Sequence, residues 1–373
     1  MKYYNIVFFT ILISFANSDI LQQEFYFVNQ VIYFQVNIAN CKTIYRAVDQ
    51  QAPYSLFNES VIKSENKLSE EILLISNKQI KANLHSDSLT INESLVLNDF
   101  NFYLSNETNL YGEMFSMAYK PYNNNFSLIH ILHDKGIIEK MQYTIYGDTD
   151  EGGVMYLGGV PEEIKEMKKY KGKCDLIDEK WSCIMNSVYL GDKEYVYDNK
   201  KGEVLFQTKE RYIITPRNFI IFMCRAINQN ANDNNACMIE ANKNEEYLNC
   251  FAGKNNIFKN ITFNIGEYSF FSRIENWFFC INNRCRSFFY SDMSKEYGDT
   301  WVLGSAFIRQ YISTFDYDER TITLYNNIGI FLYRDNNAKI IRVLLISIIF
   351  ILLCGLILYF IIGLIQYSFI ILK

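Results

Sequence analysis

No block of basic charge runs through this sequence. Its 36 lysines and arginines are scattered among 41 aspartates and glutamates, for a net charge of −5. Without a basic cluster there is no electrostatic footing for a phosphate backbone, and nucleic acid is excluded as a partner. The sequence also lacks a serine-centred nucleophile elbow and a phosphate-cradling glycine loop. Metal ligands are as scarce. Of three histidines, His130 and His133 stand three apart, with no carboxylate or cysteine cluster beside them, and no cysteine spacing makes a strong zinc pattern. No metal or cofactor is expected, and no tandem repeat is visible.

What is present begins at the ends. Met1-Lys2, an apolar run from Ile6 to Phe15, and small residues at Ala16 and Ser18 have the layout of a secretory signal peptide over residues 1–18, so the mature chain is expected to start at Asp19. Val343 to Leu364 carries no charge over 22 residues, enough at about 1.5 Å per residue to cross a hydrocarbon layer of about 30 Å. It predicts a transmembrane helix over 343–364 that holds the chain in a lipid bilayer as a single-pass type I protein. The folded part then faces the cell exterior or a lumen, at the cell surface or a vacuolar membrane. Lys339 and Arg342 on the lumenal flank run against the positive-inside bias. A glycolipid-anchor signal is the alternative, although almost no polar spacer follows Asn336-Asn337-Ala338.

Five N-glycosylation sequons, at Asn58, Asn92, Asn106, Asn125 and Asn260, fit a secretory-pathway glycoprotein. Nine cysteines occur, Cys354 among them inside the apolar span. The other eight lie in a compartment where disulfides persist. Local spacing favours Cys174 with Cys183 and Cys224 with Cys237, each pair bracketing a short turn.

Periodicity gives mostly strands. Tyr26 to Ile38, Leu84 to Val96, Gln142 to Tyr146 and Thr321 to Tyr325 alternate at least in part, and Ile72 to Ile75, Val154 to Leu157 and Val188 to Leu190 are short apolar runs. The best helical stretch is Ser127 to Leu132, with Gly136 placed to cap it. Ile164 to Tyr170 could form a short turn or helix. The expectation is an all-β chain with few short helices.

Specific segments sharpen this. Trp301-Val-Leu-Gly-Ser-Ala-Phe-Ile-Arg-Gln-Tyr-Ile-Ser-Thr-Phe-Asp316 closely resembles the final core segment of pepsin-like aspartic peptidases (peptidase family A1). Phe115-Ser-Met-Ala-Tyr119 resembles that family's Leu-Gly-Leu-Ala-Tyr motif. Leu132 to Tyr146 and Glu151 to Val160 are similar to the helix, strand and closing segment of its N-terminal lobe. The matches fall in the family's order. The resemblance implies a bilobal β fold, with lobes over 19–170 and 171–334, a deep cleft that accepts an extended peptide, and a long disulfide loop from Cys250 to Cys285. Cys41 and Cys280 are then left to each other.

Active members carry one Asp-Thr-Gly loop per lobe. Two carboxylates about 3 Å apart cannot both ionise, so they share a proton and activate water between them. Here Asp49 matches the first aspartate, but Gln50 and Gln51 replace Thr-Gly. In the second loop Gln207 occupies the aspartate position, Thr208 the threonine and Lys209 the glycine. An amide orients water but offers no exchangeable acid. On residues alone, Asp49 also reads as a turn aspartate and Gln207 as a polar strand end. In the mobile hairpin Ile75 stands at the tyrosine's position, and Ser305 follows Gly304 where active members usually have Asp. The resemblance therefore implies a pseudopeptidase that binds extended peptides or protein segments. An active aspartic endopeptidase using Asp49 with another partner, and a structural surface glycoprotein, are the alternatives.

Overall fold

The structure, a computed structural model, describes residues 20–326 apart from 29–30, 40–43, 76–77, 92–94, 109–112, 122–123, 148–151, 167–170, 197–201, 243–244, 252–259, 274–276 and 293–299. The leader expected over 1–18, the apolar span 343–364, Cys41 and Asn92 lie outside the described residues. Among the described residues no helix is long and apolar enough to cross a membrane.

The first half is built from strands β1 (Leu21–Val28), β2 (Val31–Ile38), β3 (Ile44–Asp49), β4 (Leu56–Asn58), β5 (Lys67–Ile75), β6 (Lys78–Ile91), β7 (Leu95–Ser105), β8 (Met114–Ser116), β9 (Gln142–Gly147) and β10 (Gly152–Leu157). Strict alternation explains β2: Ile32, Phe34, Val36 and Ile38 are buried, and the residues between them are less so. The stretch 26–38, expected as one strand, is the β1–β2 hairpin, and 84–96 divides between β6 and β7. Period-2 patterning is shared by both strands of an antiparallel pair, so alternation alone does not reveal the break. Helix α1 (Leu128–Asp134) starts after Ser127 and buries Leu128, Ile129, Ile131 and Leu132. Gly136 takes φ 65°, a left-handed conformation suited to glycine, and its N–H donates to the His133 carbonyl. Helix α2 is the single turn Glu162–Lys165.

The second half adds β11 (Lys171–Asp175), β12 (Ser182–Leu190), β13 (Lys193–Val196), β14 (Gly202–Phe206), β15 (Ile213–Ile214), β16 (Cys237–Asn242), β17 (Glu245–Phe251), β18 (Asn260–Ile265), β19 (Tyr268–Arg273), β20 (Phe278–Ile281), β21 (Arg284–Asp292), β22 (Trp301–Leu303), β23 (Tyr311–Asp316) and β24 (Thr321–Asn326). Its main helix, α3 (Arg217–Ala231), buries Phe219, Ile220, Met223, Ala226 and Ile227 along one face. The sequence reading missed it, because Pro216 and a run of aromatic and β-branched residues mimic a strand. Helix α4 is Ser305–Ile308.

Two sheets organise the fold. A 13-stranded sheet runs β11-β24-β23-β9-β10-β1-β2-β3-β8-β4-β7-β6-β5, so the last described strands join the sheet of the first half, β23 pairing with β9. An 11-stranded sheet runs β16-β17-β21-β15-β22-β14-β12-β18-β19, with β13 and β20 attached to β12 and β21. One motif occurs in both. β3 lies parallel to β8, with β4 antiparallel to β8 and parallel to β7. β14 lies parallel to β22, with β15 antiparallel to β22 and parallel to β21. The expected bilobal, mostly β architecture is present.

The disulfide expectations need correction. Cys174 pairs with Cys183 as expected, but Cys237 pairs with Cys250 and Cys280 with Cys285, and Cys224 is a free thiol. Neither the Cys224–Cys237 nor the Cys250–Cys285 bond is formed, and Cys280 is not left for Cys41. The reason is register. Cys237 faces Cys250 across β16–β17, and Cys280 faces Cys285 across β20–β21. Spacing along the chain does not report that opposition.

Candidate active site

The repeated motif brings two loops to the middle of the molecule. Asp49 ends β3 opposite Ser116, and the Met117 N–H donates to the Asp49 carbonyl at 2.9 Å. Gln207 follows β14, and its N–H donates to the Leu303 carbonyl at 3.1 Å. Asp49 and Gln207 therefore hold equivalent places in the two lobes, and both are buried. Beyond them, Asp49 Oδ1 accepts the N–H groups of Gln51 at 2.8 Å and Ala52 at 3.1 Å, which makes a tight turn. Its Oδ2 faces Lys209 Nζ at 3.8 Å.

Three side chains tie the loops together. Gln50 Oε1 accepts the Thr208 N–H at 2.6 Å. The Thr208 hydroxyl lies 2.7 Å from both Gln50 Oε1 and the Val48 carbonyl, and its one proton serves either acceptor. Gln51 Nε2 donates to the carbonyls of Phe206 at 3.0 Å and Trp181 at 3.3 Å. The two glutamines that replace Thr-Gly are thus inter-lobe struts. Gln51 fits the turn by extending its side chain across to the other loop, and the Asp49 carboxylate is held by its own loop.

Equivalent positions differ again behind the loops. A Cβ on Gly304 would lie 2.1 Å from the Tyr212 carbonyl oxygen and 2.5 Å from that of Glu210, so only glycine fits. The matching residue of the first lobe is Ser116, whose hydroxyl donates to the Ala52 carbonyl at 2.5 Å. Ser305 donates from its hydroxyl toward the carbonyls of Thr208 at 2.8 Å and Glu210 at 2.9 Å, bracing the second loop from below.

Beneath the loops lies an aromatic floor. Trp181 is fully buried and donates from Nε1 to the Met117 carbonyl at 2.9 Å. Its ring meets those of Tyr317, Tyr119 and Phe315 edge-on at 4.9, 5.2 and 5.2 Å between centroids. Full burial raises the hydroxyl pKa of Tyr143 and Tyr317 far above its ordinary value. His130 packs edge-on against Tyr317 and accepts or donates at Ser127 Oγ, 2.9 Å away. That is a packing role, and among the described residues no group of His, Cys, Asp and Glu is placed to hold a metal.

The hairpin β5–β6 lies at the edge of the 13-stranded sheet. Ile75 closes β5 opposite Lys78, and residues 76–77 lie outside the described residues. Leu73, Ile80 and Ala82 of the hairpin pack with Leu56, Tyr103, Met114 and Phe126, which anchors its closed half. Burial pushes the nearby Tyr54 hydroxyl up to about 12. Of the sequons, Asn106 and Asn260 are exposed and Asn58 is half-buried at the end of β4. Asn125 lies in the 3-10 turn Asn124–Phe126.

Two sheets, each with the parallel pair and crossing strand that end in a central loop, define the class as the bilobal aspartic-peptidase fold. The chain belongs to the eukaryotic aspartyl protease family, whose model matches residues 36–326. Pregnancy-associated glycoprotein 2 of Bos taurus is 27% identical over 201 residues, 52% of this chain and 48% of that protein. The match thus spans about half the length of that relative. The crystal structure of the aspartic proteinase from Irpex lacteus superposes with a TM-score of 0.65 at 11% identity, over 82% of this chain and 97% of that one. It bears on the fold alone.

Proposed function

We propose that this chain is a secretory-pathway, membrane-anchored pseudopeptidase that binds an extended peptide or protein segment between its lobes. One observation carries the reading: the Asp49 carboxylate faces the Lys209 ammonium at 3.8 Å, and the equivalent residue of the other lobe is Gln207. Peptide hydrolysis in this family's manner needs two carboxylates with one shared proton. Here a carboxylate, a cation and an amide stand in their place, so water can be bound and oriented but has no second acid to work with. Loss of a positioned acid or base costs about 10² to 10⁴ in rate. Losses within one catalytic unit are not additive, so losing one member costs about as much as losing the unit. Peptide binding depends on strand-like edges and side-chain pockets, and these do not require the carboxylate pair. The apolar span 343–364 supplies the anchor in this reading.

The test is cleavage of a mixed peptide library by the full chain from acid to neutral pH, beside Asp49→Asn. No cleavage by either protein, with peptide still captured by both, is the expected result. Cleavage by the unsubstituted chain that disappears in Asp49→Asn would make it an active endopeptidase. Neither cleavage nor capture would leave a structural glycoprotein.

A further inference from the structure

Five cysteines of the second lobe lie next to one another. Cys237 is directly opposite Cys250, Cys250 is directly opposite Cys285, and Cys285 is directly opposite Cys280. Directly opposed residues share a face of the sheet, so these four form one row across β16, β17, β21 and β20. At the head of the row, Cys224 on α3 donates from its thiol to the Cys237 carbonyl at 3.4 Å. Asn228, one turn further along α3, fixes that contact. It accepts the Cys237 N–H at 2.7 Å and donates to the Cys237 carbonyl at 3.0 Å. Cys237, Cys250 and Cys285 are buried, Cys224 is half-buried and Cys280 is exposed on the attached strand β20.

A row of five sulfurs with two bonds has one free thiol, and each interior cysteine has a neighbour on both sides. We propose that the row is a thiol–disulfide relay that transfers the free thiol from Cys224 to Cys280, making Cys280 an exposed site for covalent modification by disulfides or other thiol reagents. The Cys224 thiolate attacks Cys237 Sγ, the Cys237–Cys250 bond breaks, and Cys250 leaves as thiolate. Cys250 then attacks Cys285 Sγ, the Cys280–Cys285 bond breaks, and Cys280 leaves as thiolate and takes up a proton. One proton is lost at Cys224 and one gained at Cys280; two disulfides exist before and after, so no oxidant is consumed. The product pairing is Cys224–Cys237 with Cys250–Cys285. Burial raises the Cys224 thiol pKa, so the first step is favoured by alkaline pH.

The test uses the full chain with Cys41→Ser and Cys354→Ser, which leaves seven cysteines and therefore an odd thiol. The folded protein is held with N-ethylmaleimide at pH 8, quenched in acid and mapped by peptide mass spectrometry. Alkylation at Cys280, together with Cys224–Cys237 and Cys250–Cys285 links, is expected. Adding Cys224→Ser removes the initiating thiol and should leave Cys280 unlabelled, with Cys237–Cys250 and Cys280–Cys285 intact. Alkylation confined to Cys224 with the original links retained overturns the relay. So does equal labelling of Cys280 in the Cys224→Ser chain. Should that variant disturb α3, the map of the chain that retains Cys224 decides alone.

Discussion

The Asp49 loop and the Gln207 loop end the same three-strand arrangement, and each has one backbone hydrogen bond to the neighbouring segment, Asp49 accepting from Met117 and Gln207 donating to Leu303. Their side chains do different jobs. The first loop sends both of its glutamines across the lobe boundary, where Gln50 receives Thr208 and Gln51 reaches Phe206 and Trp181. The second loop sends Thr208 and Lys209, one to lock the backbone and one to face the Asp49 carboxylate. Nothing in that interlock needs a carboxylate at position 207. The comparison separates two demands that active members of the family satisfy with the same few residues. One is to join the lobes, and the other is to hold two acids close. This chain meets the first with longer amide side chains, and at the second-loop position that matches Asp49 it carries Gln207.

The sharpest way to break the equivalence is at the matched pair Gly304 and Ser116. Gly304→Ala sets a methyl group against two backbone carbonyls that cannot move aside. It should cost about 3 kcal/mol, the upper part of the range for over-packing. Ser116→Ala loses the hydroxyl's bond to the Ala52 carbonyl and a long one from the Ala118 N–H at 3.5 Å, and should cost about 1 kcal/mol. Urea midpoints of the two variants measure the difference, and equal costs would refute the asymmetry. Next in size is Gln50→Ala, which leaves the buried Thr208 N–H without its acceptor. About 2 kcal/mol is expected from an unsatisfied buried donor. Gln51→Ala should cost less, since the carbonyls it serves sit in strands or on loops with other donors nearby: the Trp181 carbonyl also accepts from the Phe206 N–H at 2.9 Å.

Much of this was legible in the sequence, and the reasons differ by element. Trp301 to Asp316 could be placed because Trp301, Phe307 and Phe315 are core residues and Gly304 has no room for a side chain; packing leaves such segments little freedom. Helix α3 was not legible, because its buried face is made of Phe219, Ile220 and Ile227, residue types equally at home in a strand. The disulfide row depended on cross-strand register, which spacing does not encode. At the site, Gln50 and Gln51 read as damage to a loop. The signal that could have corrected this is their length: two amides side by side, where Thr-Gly would stand, can bridge a gap that a hydroxyl cannot. Lys209 offered a similar clue, a cation in the second loop two residues past the position that answers to Asp49.

The smallest expected effect compares two histidines of the first lobe by pH. Burial lowers the pKa of His85, on strand β6 at the base of the hairpin and stacked on Phe102, and of His130, packed on Tyr317 over the aromatic floor. A histidine whose folded pKa lies below its unfolded value of about 6.5 binds fewer protons in the folded state. Stability therefore falls as pH drops from 6.5 toward the folded pKa. Asp316 acts in the opposite sense, since burial raises its pKa and favours the folded form on further acidification, as pH falls through the folded value toward 3.8. Between pH 7 and 5 the histidine effect should dominate, and His85→Gln and His130→Gln should each flatten the decline in the thermal midpoint. A larger flattening from His130→Gln would place the more acid-sensitive packing at the aromatic floor, under the two loops. The reverse would place it at the base of the hairpin.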